Sequence, residues 1–412
     1  MKRPLDARES GVLDLSHYPT AFHKLKLGSS VATKKIGIAG AGIGGLTAAA
    51  YLLRQGLDVR LYEQADAFAR VGTGIQMGPN PMKILIDLGL QGDLERVAYS
   101  PPSLANRVWD TGELTFDLPL GSDAERIYGA PYYLLHRGDL HAALQNVVPP
   151  ETIRLGHRIT GVAEDADGVR IDFADRPSDT VDILIGADGV HSPTRESLFT
   201  STRPLYTGKV AYRAVFPAEL VRRAPAGPAT KWWGPDRHIV IYYVSAGREL
   251  YFTTGVPEPE PSKESWSAMG DLDELRRAFE GFHPDVMDVL EACPAVNKWA
   301  IYDRDPMDSW HTGRVVLLGD ACHPMTPYMA QGAATAMEDA VVLARCIEEF
   351  GLQEAPSVFQ RYEDIRKPRT SLIQSISRAN TWLREQTDPT PIYGYNALTV
   401  SLEPGAPAVA HA

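Results

Sequence analysis

The sequence predicts an α/β fold into which a mainly antiparallel β-sheet domain is inserted, followed by a helical carboxyl-terminal region. Three observations carry this. KKIGIAGAGIGGLTAAAYLLRQGLDVRLYE reads as strand, glycine turn, helix and strand; apolar strands leading into glycine-rich turns and helices recur far downstream; and a stretch rich in β-branched and aromatic residues lies between them. The expected boundaries are an amino-terminal tail over 1–33 and a nucleotide-binding domain over 34–204, with an excursion toward the second domain near 72–110. The inserted domain covers 205–296, the nucleotide domain resumes over 297–353, and a helical region and tail cover 354–412.

In the first unit, Ile36 and Ile38 begin a buried strand, and Gly40, Gly42 and Gly45 form GxGxxG. Gly40 permits the tight turn, Gly42 lets backbone approach a pyrophosphate, and Gly45 allows close helix–strand packing. The start of the helix offers unpaired N–H groups to phosphates. The helix stops at Gly56, and DVRLYE supplies the next strand. Glu63 ends it 23 positions after Gly40, suited to accept hydrogen bonds from a ribose. A lone GxGxxG is a weak signal; the order strand, turn, helix, strand and acid makes this a Rossmann-like dinucleotide site, with Gly44 and Gln64 inside it. In RVGTGIQMGPNPMKILIDLGL, Gly72, Gly74 and Gly78 bring the chain close to a planar cofactor, and a helix runs from about Pro81 to Leu88. Arg70 reads as a cofactor contact or a surface charge. Gln76 reads as a substrate contact or a satisfied structural amide.

Three later segments repeat the nucleotide-domain texture. YYLLHRGDLHAAL is a strand entering a helix near Gly138, VDILIGADGVHSPTRESLF a strand, loop and helix, and GRVVLLGDACHPMTPYMAQGAATAMEDAVVLARCIEEF a strand and long helix. Between them, KVAYRAVFPAEL, KWWGPDRHIVIYYVSAG and RELYFTTGVP predict the antiparallel sheet, and DLDELRRAFEGFHPDVMDVLEAC one or two helices. His238 and Tyr242 stand four positions apart on one strand, so both point to one sheet face. Imidazole accepts a proton near neutral pH and a tyrosine hydroxyl donates a hydrogen bond, which makes them the candidate catalytic pair. A structural histidine and ordinary sheet packing are the competing roles. Trp232 and Trp233 form either the sheet core or a substrate wall.

Composition bounds the remaining classes. With 41 Lys+Arg against 52 Asp+Glu the formal charge is 41 − 52 = −11, which argues against broad nucleic-acid binding while leaving room for a local basic pocket. The amino-terminal tail lacks the apolar run of a signal peptide or membrane anchor, so a soluble, cytoplasmic protein is expected. Cys293, Cys322 and Cys346 are too widely spaced for a disulfide framework. His323 follows Cys322, but no other Cys/His spacing supports a metal, and none is expected.

Three separated signatures, GAGIGG with Glu63, GADGVHSPTR, and GDACHPMTPYMAQGA, together resemble the single-component flavoprotein aromatic hydroxylases, the class A flavin monooxygenases. The resemblance runs from residue 34 to about 396. LHRGDLH and KWWGPDRHIVIYY align it with members acting on hydroxylated pyridine carboxylates, and the salicylate and aminohydroxybenzoate branches stay open. It implies tightly bound, non-covalent FAD, NADH or NADPH as transient electron donor, and O2 and an aromatic acid as substrates. Hydroxylation with loss of a ring carboxylate as carbon dioxide is one form of the expected reaction. Arg137 is expected at the FAD phosphate or ribityl region, Asp188 and Gly189 at the motif serving FAD and the nicotinamide nucleotide, and Asp320 at the ribityl chain. Gly332 and Ala333 are expected to offer backbone donors at the flavin's pyrimidine edge, with Pro327 in the same loop. Ser192 and Arg195 either stabilise their turn or meet phosphate.

Departures from the family pattern bear on the substrate. PYMAQGA carries less glycine than usual, so Tyr328 and Met329 enlarge the pocket wall. Gln76, Tyr328 and Tyr212 stand where similar enzymes carry histidines. Arg213 is a candidate counter-charge for a carboxylate, with a structural ion pair as the alternative, and Trp233 a candidate substrate contact. A flavin oxidase or reductase and a noncatalytic flavin-dependent sensor are the other readings. The oligomeric state is expected to be monomer or homodimer, and Trp382 either a dimer contact or a cap on its own chain.

Overall fold

Runs that are apolar on both faces become strands buried on both faces, and three of them, Lys35–Ala39, Ile183–Gly186 and Val315–Leu317, lie at the centre of the nucleotide-binding sheet. A computed structural model describes residues 34–70, 72–199, 203–223, 225, 227–260 and 269–405; the tail expected over 1–33 lies outside them. Lys35–Ala39 pairs in parallel with Asp58–Tyr62 on one side and Ile183–Gly186 on the other. Val315–Leu317 extends the sheet beyond Ile183–Gly186, again in parallel, and Ile153–Arg154 and His311–Thr312 complete six strands. Helix Ile43–Arg54 follows the first strand, with ten of its residues buried from Ile43 to Leu52.

The second sheet has seven strands, ordered Asn297–Asp303, Leu205–Pro217, Glu249–Pro257, His238–Val244, Ala229–Trp233, Ser103–Val108 and Leu114–Pro119. Neighbours are antiparallel except Ala229–Trp233 with Ser103–Val108. Helices Leu272–Ala278 and Pro284–Ala292 bury Leu275, Val286, Val289 and Leu290 in a shared core with Trp232, Phe252 and Phe279.

Two segments lie elsewhere than the sequence suggests. The chain does not rejoin the nucleotide sheet near 297: Asn297–Asp303 is an edge strand of the seven-stranded sheet, and the return comes at His311. Tyr133–His136 does not join the parallel sheet but pairs antiparallel with Gly74–Met77. The reason is common to both. An apolar run specifies a buried strand, while its partner is set by tertiary contacts.

Helix Gly332–Phe350 packs against the carboxyl-terminal helix Ala355–Ala379 through a buried ion network. Arg366 donates to Asp339 at 2.7 Å and to Glu338 at 2.8 Å, and Arg369 donates to Glu338 at 2.8 Å. Asp339 also accepts from His323 and from the Gly319 N–H, so the network holds the loop that carries Asp320. No helix among the described residues is long and apolar enough to cross a membrane.

Candidate active site

Adjacent parallel strands bring the separated glycine motifs together at their carboxyl ends, the edge where open α/β sheets bind ligands. The Gly40–Gly45 turn follows Ala39, Glu63 follows Tyr62, Asp188 and Gly189 follow Gly186, and Gly319 and Asp320 follow Leu317. Between this edge and the seven-stranded sheet lies a cavity of about 400 Å³.

Its nucleotide end fits FAD. Helices Ile43–Arg54 and Gly332–Phe350 both begin without a side-chain cap, and Gly42, Ile43 and Gly44 of the first and Gly332 and Ala333 of the second line the cavity. Their first N–H groups lack helical acceptors and are available to an anion. A Cβ on Gly42 would meet nothing within 4 Å, leaving room for a ligand against the backbone. Arg137 is exposed at the cavity, and its guanidinium has no hydrogen bond or ion pair among the described residues. The Asp320 carboxylate likewise opens into it; surrounding protein raises its pKa, opposed by His323, Arg137 and Arg195. At the strand end, Glu63 accepts from the N–H groups of Ala41 at 3.0 Å and Ala65 at 2.9 Å, which fixes the carboxylate for a ribose.

The turn is built on contacts only glycine permits. A Cβ on Gly40, at φ +94°, would stand 2.6 Å from the Ala187 carbonyl oxygen, and one on Gly45 1.9 Å from that of Gly40. Both obstacles are backbone and cannot rotate away. Gly45→Ala is expected to purify with little FAD, read from the ratio of flavin to protein absorbance; full flavin content would refute this account of the turn.

Other predicted cofactor residues support the cradle from outside the cavity lining. Asp188 accepts from the Ser192 hydroxyl and the Thr194 N–H, holding the loop whose Gly189 does line the cavity. Arg195 is buried and donates to the carbonyls of Val190 at 2.6 Å and Ala321 at 3.0 Å, so it ties two cofactor loops together. Gln64 is exposed beside Glu63, and Pro327 lines the cavity. Arg70 is not at the cavity. It pairs with Asp139 and Glu249, each at 2.7 Å, and links helix Arg137–Asn146 to the seven-stranded sheet.

The opposite wall is one face of the seven-stranded sheet, and strand register orders it in rows. Ala229, Tyr242 and Tyr251 share one row; Lys231, Val240, Thr253 and Arg213 the next; Trp233, His238 and Gly255 the third. His238 is buried, and burial with nearby Lys231 and Lys209 holds its pKa well below the usual value. The imidazole is therefore neutral and able to accept a hydrogen bond. Burial raises the Tyr242 pKa well above the usual value, so its hydroxyl stays protonated and donates. Gln76 lines the cavity and accepts from the Tyr132 hydroxyl at 2.6 Å. Tyr328 sets its ring edge-on to His238 with centroids 5.4 Å apart. Its hydroxyl is buried without a hydrogen-bond partner among the described residues.

Tyr212 is a correction. Arg213 faces the cavity, so strand alternation turns Tyr212 to the other side, where it enters the core beneath the Lys298 amine. A local sequence match does not encode which face a strand presents. Arg213 stacks on Trp299 at 4.1 Å. Trp233 shares this sheet face but does not line the cavity; its ring centroid is 5.4 Å from that of His238 and its Nε1 donates to Asn106. Trp382 is buried within its own chain and lines the cavity together with Leu383 and Tyr393. Cys322, His323 and Asp339 have ligand atoms within 4.8 Å of one another, but Asp339 is already engaged by Arg366, and burial keeps the Cys322 thiol protonated.

Sequence reasoning missed Lys231 and Gly255. Lys231 had a signal: it shares strand parity with Trp233, which pairs with His238, so a cation sits on an apolar face. Gly255 carried none, and Gly74 stood out only as a point of approach to a planar cofactor, not for the Tyr251 ring packed against it. A Cβ on Gly255 would stand 2.5 Å from His238 Cε1, and one on Gly74 2.5 Å from the Tyr251 ring. Gly255→Ala is expected to displace the imidazole and lower turnover by roughly tenfold or more with FAD content unchanged. Unaltered turnover would show that the ring's place over Gly255 is immaterial.

Fold and cavity define an FAD-dependent aromatic hydroxylase. The chain belongs to the FAD binding domain family, whose model matches residues 33–376. It is 45% identical to the 6-hydroxynicotinate 3-monooxygenase of Bordetella bronchiseptica, over 91% of this chain and 99% of that protein. Identity to the 3-amino-4-hydroxybenzoate 2-monooxygenase PtnB3 of Streptomyces platensis is 39%, over 84% and 87%. The structure of Klebsiella pneumoniae HpxO with FAD and uric acid superposes with a TM-score of 0.75 at 30% identity, covering 87% of this chain and 90% of that one.

Proposed function

We propose that this enzyme uses NADH or NADPH and O2 to hydroxylate a hydroxylated aromatic or N-heteroaromatic carboxylic acid, with the seven-stranded sheet and its two helices as the substrate domain. The observation that carries this is the placement of His238 and Tyr242 on a sheet face across one cavity from the FAD cradle. Bound FAD supplies hydride acceptance and oxygen activation. The chain's own residues orient and activate the ring. Neutral His238 accepts the hydrogen bond, and then the proton, of the ring hydroxyl, which increases electron density on the ring carbon to be attacked. Protonated Tyr242 and Gln76 fix the ring's other edge. Tyr328, Trp382 and Tyr393 close the cavity with aromatic surface and exclude water from the reacting atoms.

The reaction consumes ring C–H, O2, NAD(P)H and a proton, and yields ring C–OH, NAD(P)+ and water. Where the attacked carbon bears the carboxylate, carbon dioxide leaves instead of a proton. The relatives support a pyridine or benzene acid; Gln76 and Tyr328 shape the choice between them. Anaerobic screening of such acids by flavin spectral change and reduction rate, followed by oxygen and mass analysis of the product, tests the proposal. A substrate that accelerates NAD(P)H oxidation and gains one oxygen is expected. Peroxide as the sole product across the panel would overturn it.

A further inference from the structure

Lys231 is 5% exposed, at the middle of the apolar strand Ala229–Trp233, and lines the cavity. Its amine lies 3.9 Å from the centroid of the Trp233 ring and has no hydrogen bond or ion pair among the described residues. A buried amine so placed, charged or neutral, forgoes the hydrogen bonds that water would give it, which costs folding free energy that a bound partner recovers. Among the described residues the lining supplies none. Its charged residues are Arg137, Arg213, Lys231 and Asp320, and Asp320 belongs to the opposite, nucleotide end.

Register places Lys231 beside Val240, in the row between those of His238 and Tyr242. Those two side chains are about 13 Å apart along the strand, the span of a ring reached from both ends. A ring over Val240 has Lys231 at its flank. Arg213 sits further along the same row, stacked on Trp299.

We propose that Lys231 is the substrate-binding residue that pairs with the carboxylate of the aromatic acid. This rests on the reading of the substrate as an acid. Burial lowers the pKa of Lys231 to about 7, so binding an anion recruits a proton to the amine. The charged or titratable groups around it are His238, Tyr242, Tyr251 and Arg213, with Lys209 beyond His238 and Arg384 on the Trp233 ring; none is a carboxylate.

The test uses the FAD holoenzyme and the tightest binder among 6-hydroxynicotinate, 3-amino-4-hydroxybenzoate and salicylate, together with its carboxamide. Dissociation constants are read from flavin absorbance changes. Wild type is expected to prefer acid over amide on the order of 100-fold. Lys231→Met is expected to erase that preference to within about threefold, with amide affinity and FAD content unchanged. In wild type, acid affinity is expected to fall as pH rises from 7 to 9, while amide affinity does not. That readout needs no variant. Equal acid affinity in Lys231→Met and wild type, parallel loss of acid and amide, or loss of FAD would each overturn the proposal. If wild type binds none of the acids, the reading of the substrate falls with it; if it binds them and the variant does too, only the role of Lys231 falls.

Discussion

His238→Asn is expected to retain FAD at wild-type occupancy while lowering single-turnover hydroxylation by roughly 100-fold or more. Asparagine keeps an acceptor near the imidazole's position but cannot take a proton. The lost rate therefore reports proton removal from the ring hydroxyl more than substrate positioning. FAD is spared because His238 stands on the sheet wall, across the cavity from Gly42, Arg137 and Asp320. The low pKa of His238 has two consequences. It keeps the imidazole neutral at pH 7, and it makes it a weak base until an anionic ring is close. Substrate binding and proton transfer should then be coupled, with deprotonation visible as a shift of the ligand's own absorbance in wild type and absent in the variant. Single-turnover hydroxylation at the wild-type rate would remove His238 from the mechanism.

The largest stability effect is expected from Arg366→Met, about 3–5 kcal/mol, because it leaves buried carboxylates without their shared cation. Arg366, Glu338 and Asp339 have fully buried side chains. Arg369 still pairs with Glu338 and His323 with Asp339, but neither replaces both bonds. Opposing cations hold Asp339 down to about 2 against an ordinary value of 3.8, even though burial pushes it up. With the folded pKa depressed, this stabilisation is present above pH 4 and is lost as pH falls through about 2. Thermal unfolding should show a lower midpoint, and FAD retention should weaken too, since Asp339 also holds the Gly319 N–H. Arg378→Met is the comparison: that side chain is 47% exposed, and its pairs with Asp303 and Asp305 are worth at most about 1 kcal/mol. Equal midpoints for the two variants would show that burial does not set the value of the network.

The cofactor half of the site was legible because its chemistry is written in local order. Gly40, Gly42 and Gly45 are read from one turn, and Glu63 from the strand that follows. Asp188 and Asp320 were legible as motifs, but not as neighbours, nor was it visible that Asp188 would brace a loop while Asp320 faced the ligand. The substrate half was less legible. His238 and Tyr242 came from strand periodicity within one segment, whereas Tyr212 failed on the same rule because no marker in its own strand told which face was inward. Arg70 failed because its acidic partners, Asp139 and Glu249, are 69 and 179 residues away. Gly255 carried no signal and Gly74 only that of a cofactor approach, since what each makes room for lies on another strand.

By itself the sequence determined the α/β class, the dinucleotide turn and the acidic −11 background within which a basic pocket would stand out. These follow from periodicity, turn chemistry and residue counts, all properties of short segments. Tertiary structure alone decided that Asn297–Asp303 belongs to the second sheet, that the carboxyl-terminal Trp382 and Tyr393 line the cavity, and that Lys231 stands near His238 with no acid among the described residues to meet it. Each of these depends on which strands pair and which faces meet. A run of residues cannot state that, because its own pattern is satisfied by any buried partner of the right shape.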